Sequence, residues 1–247
     1  AGPVCRLVLV GPDAGPQVLL LGAHHVAADG QSLALLAEEF AALRAPAGAA
    51  AAPAGPAGSY RAFVAWQAAM LDGPEGARLD RYWCSRLASP QGDSALPADR
   101  PRTGRAQPSA ASVAIDFDPS LVAAVRRFAK DAGTTPFVVL LAAYTLVLYR
   151  IGGNPDVVVG CPLLARGPAE YARTIGAFAN PLPLRTQVDP DEGFATLLAA
   201  TRETLLGALD AQDMPVPLLA ERFGAARGAG RTGLYDVSFT FMGFEQL

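Results

Sequence analysis

Histidine is nearly absent from this chain: there are two in 247 residues, and they are adjacent, His24 and His25. A catalytic zinc site takes three protein ligands, usually led by histidine, and neighbours in extended backbone point to opposite faces. No metal site is expected. Lysine is scarcer still, with Lys130 alone, so arginine carries the positive charge. A formal net charge of -3 gives no electrostatic case for nucleic acid or an anionic membrane. The three cysteines, Cys5, Cys84 and Cys161, are far apart and in no metal-ligand spacing. They are expected to be buried free thiols, which suits a reducing cytoplasm. No apolar run approaches the roughly 18 residues that span a bilayer. No basic-then-apolar leader opens the chain. It enters a strand-like run, Val4 to Val10, almost at once, as a piece of something longer would.

What is present is apolar: 51% of residues are hydrophobic, enough for one large domain or two modest ones. "VCRLVLV" and "QVLLLGA", joined by "GPDAGP", predict a hairpin that delivers the chain to His24. Leu33, Leu36, Phe40 and Leu43 have helical spacing, with Gln31 or Ser32 near the start. Two more helices are predicted from "YRAFVAWQAAMLD" and "ARLDRYWCSRLA". The Pro/Ala/Gly stretch between Arg44 and Ser59 reads as a mobile loop, and Ser89 to Ser112 as a connection between two halves. "SVAIDFD" alternates like a strand. Asp118–Pro119 and Thr135–Pro136 each pair an N-cap with an N1 proline. The second opens "FVVLLAAYTLVLYRI", a helix expected to be buried on most sides. "DVVVGCPLL", "FANPLPLRTQV" and "YDVSFTFMGF" are expected strands, and "GFATLLAATRETLLGALDAQ" a helix. The class is mixed α and β, without an internal repeat.

The histidine pair sits where the second strand ends. Alternation lets only one ring face a given cavity, the other being packed away. Asp29 follows His25 by four residues, and Gly30 permits a tight bend. A histidine at such a turn, with a carboxylate bracing the loop, suits general base chemistry near neutral pH. No serine or cysteine sits in a nucleophile elbow, so any nucleophile comes with a substrate.

"HHVAADG", His24 to Gly30, matches the HHxxxDG pattern of the condensation domains of nonribosomal peptide synthetases. Further segments in order resemble the same family: "YRAFVAWQ" from Tyr60, with Ala62 where the family has Asp; "IGAFANPLPLR", Ile175 to Arg185; "AQDMPVP" from Ala211, lacking the family's His and Glu; and "RTGLYDVSF" from Arg231. The resemblance covers essentially the whole chain. It implies a chloramphenicol acetyltransferase-like α/β (α+β) fold, a two-lobed sandwich with a tunnel between the lobes. Residues 1–105 would be the C-terminal part of the N-lobe, and 106–247 a partial C-lobe. Two upstream family motifs and a C-terminal portion are expected beyond the chain's ends.

The implied reaction joins two substrates, each on the 4'-phosphopantetheine arm of a carrier protein. No cofactor is bound directly, and donor carrier, acceptor carrier and neighbouring synthetase domains are the expected partners. The second histidine of the motif stands at the reacting centre, which gives His25 that role. A free α-amine has a pKa near 8, so about a tenth is neutral at pH 7. Ground-state deprotonation is then a small task; alignment, with His25 orienting the amine or taking its proton, is the larger one. The expected catalytic set is His25, His24, Asp29 and Gly30. His24 either packs behind the loop or adds to the site. Asp29 braces the loop through an arginine; the family's usual partner lies upstream, with Arg166 and Arg185 as local candidates and supports. Gly30 either turns a backbone N–H toward an oxyanion or simply makes the bend. Asn180 and Ser32 are expected beside substrate, while Tyr60, Trp66 and Trp83 are core aromatics.

Three other readings stand beside condensation. An epimerisation domain shares HHxxxDG, although "FANPL" is closer to condensation. A freestanding acyltransferase using coenzyme A shares HxxxD. A noncatalytic domain that recruits partner enzymes is the rival of another class. Heterocyclisation is disfavoured, since it replaces the motif with a pair of aspartates.

Overall fold

A computed structural model describes residues 2–12, 15–44, 58–87, 96–97, 110–223 and 234–241. Most of the Pro/Ala/Gly stretch, most of the Ser89–Ser112 connection and Arg231 itself lie outside these residues. The chain divides into two compact units, Ala1–Gly76 with Leu164–Ala179 and Phe244–Leu247, and Ala77–Leu163 with Asn180–Gly243.

In the first unit, β1 (Cys5–Val10) pairs antiparallel with β2 (Val18–Ala23), Cys5 opposite Ala23 and Val10 opposite Val18. Leu7, Leu9, Val18 and Leu20 of this hairpin stay exposed. Cys5 is exposed too, against the expectation that all three thiols are buried: on a strand whose side chains are open to solvent, an apolar neighbour provides no cover. Two helices follow, α1 (Gly30–Arg44) and α2 (Tyr60–Leu71). Ser59 starts α2 by accepting the Ala62 N–H at 3.1 Å, as an N-cap should. The apolar side of α2 meets residues 164–179 in an aromatic cluster. Phe63 lies 4.6 Å from Phe178 and 5.5 Å from Tyr171, ring centre to ring centre, with Tyr60 and Trp66 at its margin.

The second unit takes in most of α3 (Pro74–Leu87), then α4 (Pro119–Asp131), α5 (Pro136–Gly152), all but the last residue of β3 (Asp156–Leu164), all but the first of β4 (Ala179–Gln187), α6 (Phe194–Asp210) and α7 (Val216–Arg222). β3 and β4 pair with each other. The predicted proline caps form: Asp118 accepts the Ser120 N–H at 2.7 Å and Thr135 that of Val138 at 3.4 Å. α5 buries Val138, Val139, Leu141, Ala142, Thr145 and Leu148, and Phe137, Leu140, Tyr144 and Leu146 are half-buried, so the helix is covered on most sides, with Val147 and Ile151 exposed toward its C-terminal end. Trp83 is 1% exposed and donates its indole N–H to Ala211 O at 3.0 Å.

Three elements differ from expectation. Residues 112–118 form no strand, and Val113 and Ile115 are 86% and 73% exposed. Alternation supplies the side-chain pattern, but a strand also needs a ladder partner, and none of the described strands pairs with this segment. The closing strand is reduced, among the described residues, to a parallel bridge between Ser238 and Gly160. The short α7 has no counterpart among the expected helices, because its apolar spacing is broken by prolines on either side of Val216. Among the described residues no single helix is long and apolar enough to cross a membrane.

Candidate functional site

β2 ends at Ala23, and the histidine pair occupies a turn beyond it, not extended chain. The His24 N–H donates to Val4 O at 2.7 Å, one step past the hairpin ladder, and the Ala27 N–H donates to His24 O at 2.8 Å. His24 and His25 are therefore the first two residues of a β-turn over 24–27. Both rings are exposed. The strand rule that would pack one of them away does not operate in a turn, so neither is buried. His24 also accepts the Val26 N–H on its ring Nδ1 at 3.2 Å. Among the described residues the His25 ring has no hydrogen-bond partner.

Asp29 closes the loop and is 1% exposed. It is the N-cap of α1: its Oδ1 accepts the Ser32 N–H at 2.8 Å and its carbonyl the Leu33 N–H at 3.1 Å. That helix begins at Gly30, so the capping residue lies two to three positions before the Gln31 or Ser32 predicted near its start. Gly30 itself has ordinary backbone angles, and a Cβ there would meet nothing within 4 Å. The bend does not require glycine, and the space beside it is open.

The Asp29 carboxylate is held from four sides. Arg166 Nη2 donates to Oδ1 at 2.8 Å, the Ser32 hydroxyl lies 2.7 Å from the same oxygen, and the Phe178 N–H reaches Oδ2 at 3.2 Å. Of the two arginines considered for this pairing, Arg166 is the partner. Its side chain is 9% exposed, that of Asp29 1%. Burial lowers the Arg166 pKa from its ordinary value, and the Asp29 charge opposes that shift. The guanidinium also donates to the Thr174 carbonyl and lies 4.3 Å over the Phe178 ring. Ser32 is fully buried, and its hydroxyl bridges Asp29 and the Gly176 backbone, 2.9 Å from Gly176 O and 3.0 Å from Gly176 N. Asp29 N–H donates to Gly176 O at 3.0 Å as well. Residues 174–178 thus fasten the far end of the histidine loop. Sequence reasoning did not single out Gly176 or Phe178 for this task, although both lie inside the "IGAFANPLPLR" segment.

Asn180 and Arg185 belong to β4 in the second unit. The Asn180 amide donates to Gln212 O at 3.0 Å and Met214 O at 2.7 Å, and its carbonyl accepts the Val216 N–H at 3.0 Å. It ties β4 to the start of α7. Arg185 pairs two-pronged with Asp156 at 2.7 and 2.6 Å and donates to Arg86 O at 2.8 Å. The hydrogen bonds to Asp156 raise its pKa, against a smaller lowering by burial. Among the described residues no group of three or more His, Cys, Asp or Glu side chains is placed to hold a metal ion.

The arrangement is two exposed imidazoles on a short loop, one of them bonded to the turn, with a buried ion pair pinning the loop behind. Such a ring can accept or hold a proton at the surface while its support stays fixed.

The sequence profile of the family described as "Condensation domain" matches residues 1–246. Among curated proteins, the chain is 31% identical over 243 residues to tyrocidine synthase 2 of Brevibacillus parabrevis, covering 98% of this chain and 7% of that protein. It is 33% identical over 241 residues to phosphinothricin tripeptide synthetase PhsC of Streptomyces viridochromogenes, covering 97% and 22%. Among solved structures, the first condensation domain of the CDA synthetase matches with a TM-score of 0.75 and 26% identity, over 98% of this chain and 52% of that one. The teicoplanin X-domain in its complex with OxyB matches with a TM-score of 0.79 and 26% identity, over 95% and 53%. The chain therefore spans about half the length of these solved domains, and a small part of the synthetases.

Proposed function

Because the chain belongs to the condensation-domain family, with the fold of that family, we propose that it joins a donor acyl or peptidyl thioester to an acceptor aminoacyl thioester in nonribosomal peptide synthesis. Both substrates would arrive on the 4'-phosphopantetheine arms of carrier proteins, and the neighbouring domains of a synthetase would be the other partners. The matches to the tyrocidine and phosphinothricin tripeptide synthetases support that setting.

The observation that carries the reading is the exposed His25 ring, without a hydrogen-bond partner among the described residues, on a loop whose base is locked by Asp29 and Arg166. The acceptor nitrogen attacks the donor carbonyl carbon. The C–N bond forms, the C–S bond breaks, and the thiol of the donor arm leaves. The amine must lose a proton, and the departing sulfur gains one. On this reading His25 accepts the first and returns it to the sulfur. General base assistance of this kind contributes about 10²–10⁴ in rate, and alignment of two tethered reactants can contribute more. A ring carried on a loop fastened at its base serves both.

A second reading is supported by a particular likeness: the teicoplanin X-domain structure shows a similar fold bound to OxyB. On that reading this chain recruits a partner and makes no bond. Condensation is tested by loading donor and acceptor carriers and following carrier-bound amide by mass spectrometry. His25→Ala and His25→Gln are expected to slow product formation by about 10²-fold or more. Wild-type protein that forms no amide, or variants as fast as wild type, would overturn the assignment.

A further inference from the structure

We infer that the second unit carries a binding site of its own, a cleft between α5 and α6 for an apolar zwitterion: an amino acid or short peptide with both termini free. The inference does not rest on the proposed condensation. Only second-unit residues line the cleft, and the histidine turn belongs to the first unit.

The cleft has a volume of about 590 Å³. That falls within the roughly 300–1,000 Å³ of ordinary small-molecule pockets. One wall is the end of α5 with its cap: Leu146, Arg150 and Gly153 recur at i, i+4 and i+7 and so share a face. Phe194 and Leu197, in the first turn of α6, supply another, and Val188 to Gly193 connect β4 to that helix. Val188 and Leu197 are buried, and Leu146 and Phe194 half-buried, so the lining is largely apolar. A Cβ at Gly153 or at Gly193 would meet nothing within 4 Å, so both glycines leave the space open.

Three charges stand on this lining. Arg150 is exposed and has no hydrogen bond or ion pair among the described residues. Asp189 and Glu192 do not pair with it. Each carboxylate is held on one oxygen by its own segment: Asp189 Oδ1 accepts the Asp191 N–H at 3.0 Å, and Glu192 Oε2 the Thr196 hydroxyl at 2.8 Å. The other oxygen of each has no partner among the described residues. Both signs are therefore available in one cleft. A ligand with only a carboxylate would leave Asp189 and Glu192 unmet, and one with only an amine would leave Arg150 unmet. A zwitterion satisfies the set, with its carboxylate on the Arg150 fork, its ammonium on Asp189 or Glu192, and its side chains over the apolar wall. Arg150 also lies in the last turn of α5, where a cation is favourable without any ligand. That role alone predicts a change in stability and none in binding.

The test is an NMR titration of the 247-residue chain with phenylalanyl-leucine, its N-acetyl and C-amide forms, and phenylalanine. The dipeptide is expected to bind with a Kd of about 1 mM or below, shifting amides at 149–153 and 188–197. Acetylation and amidation should each weaken it about 5-fold, the most that an exposed ion pair contributes. Arg150→Gln should weaken the free dipeptide equally and leave the C-amide form unchanged. Asp189→Asn combined with Glu192→Gln should leave the N-acetyl form unchanged. Gly193→Leu, at ordinary backbone angles (φ -79°, ψ 166°), should fill the cleft and abolish binding with every charge intact. Phenylalanine binding as tightly as the dipeptide identifies the ligand as an amino acid, and weaker binding identifies it as a peptide; either supports the site. Blocked forms as tight as the free dipeptide, Arg150→Gln changing melting temperature but not affinity, Gly193→Leu binding as wild type does, or no shift at about 10 mM ligand would each overturn it. No carrier protein or amide product enters the readout, so loss of the proposed function would leave the result standing.

Discussion

Arg166 and Phe178 touch and share a partner: the guanidinium lies 4.3 Å above the phenyl ring, and both residues hold the carboxylate of Asp29, one by its side chain and one by its backbone N–H. A planar guanidinium can stack and fork at once; an ammonium cannot. Arg166→Ala leaves a buried carboxylate without its counter-charge, which costs about 3–5 kcal/mol in denaturant unfolding. Arg166→Lys should recover only part of that. A double-mutant cycle with Asp29→Asn should show strong coupling; additive losses would mean the pair is not a unit.

Gly176 is a crowded position. A Cβ there would come within 2.2 Å of the Tyr60 ring and 2.9 Å of the Phe178 ring. Gly176→Ala is expected to lose about 1–3 kcal/mol through overpacking. It should also shift the Asp29 and Ser32 amide resonances in NMR, since Gly176 receives both residues. A variant as stable as wild type would show that the aromatic cluster yields more readily than its packing implies.

Asn180 donates to two carbonyls and accepts one N–H. Asn180→Asp keeps the acceptor for Val216 but turns an oxygen toward Gln212 O and Met214 O. It should destabilise more than Asn180→Ala, by at least the roughly 1–3 kcal/mol of an unsatisfied buried polar group. Equal melting temperatures for the two variants would refute this account of the β4–α7 joint.

Cys161 is buried, and burial pushes its thiol up to about 12. At pH 8 iodoacetamide should label Cys5 fast and Cys161 hardly at all in the folded protein, read by peptide mass spectrometry. The same shift bears on stability. The folded state keeps the proton longer than the unfolded state, so this contribution is intact below about pH 9 and is lost as pH rises toward about 12. Cys161→Ala should flatten the alkaline fall in melting temperature; an unchanged slope would count against it.

Much of the frame was legible because its signals are local. The hairpin followed from two apolar runs around a turn, and α4 and α5 from their Asp–Pro and Thr–Pro starts. The strand expected at 112–118 was not, since pairing depends on a partner and not on alternation. At the site, the motif picked out His24, His25, Asp29 and Gly30, and Arg166 stood among the candidate partners. The backbone groups of Gly176 and Phe178 were invisible, because a main-chain donor leaves no mark in residue identity. Ser32 and Asn180 were read as facing substrate, and their polar atoms are seen bonded to protein; spacing alone does not tell a ligand contact from a clasp.

The span from His24 to Asp29 is fastened at both ends and stiffened in the middle. On the proposed reading, in which a reactant comes against His25, little disorder is left in the span to surrender. Ordering a mobile loop on binding would cost roughly 1–2 kcal/mol per residue. Here that toll is met during folding, so a partner's affinity can be directed to alignment.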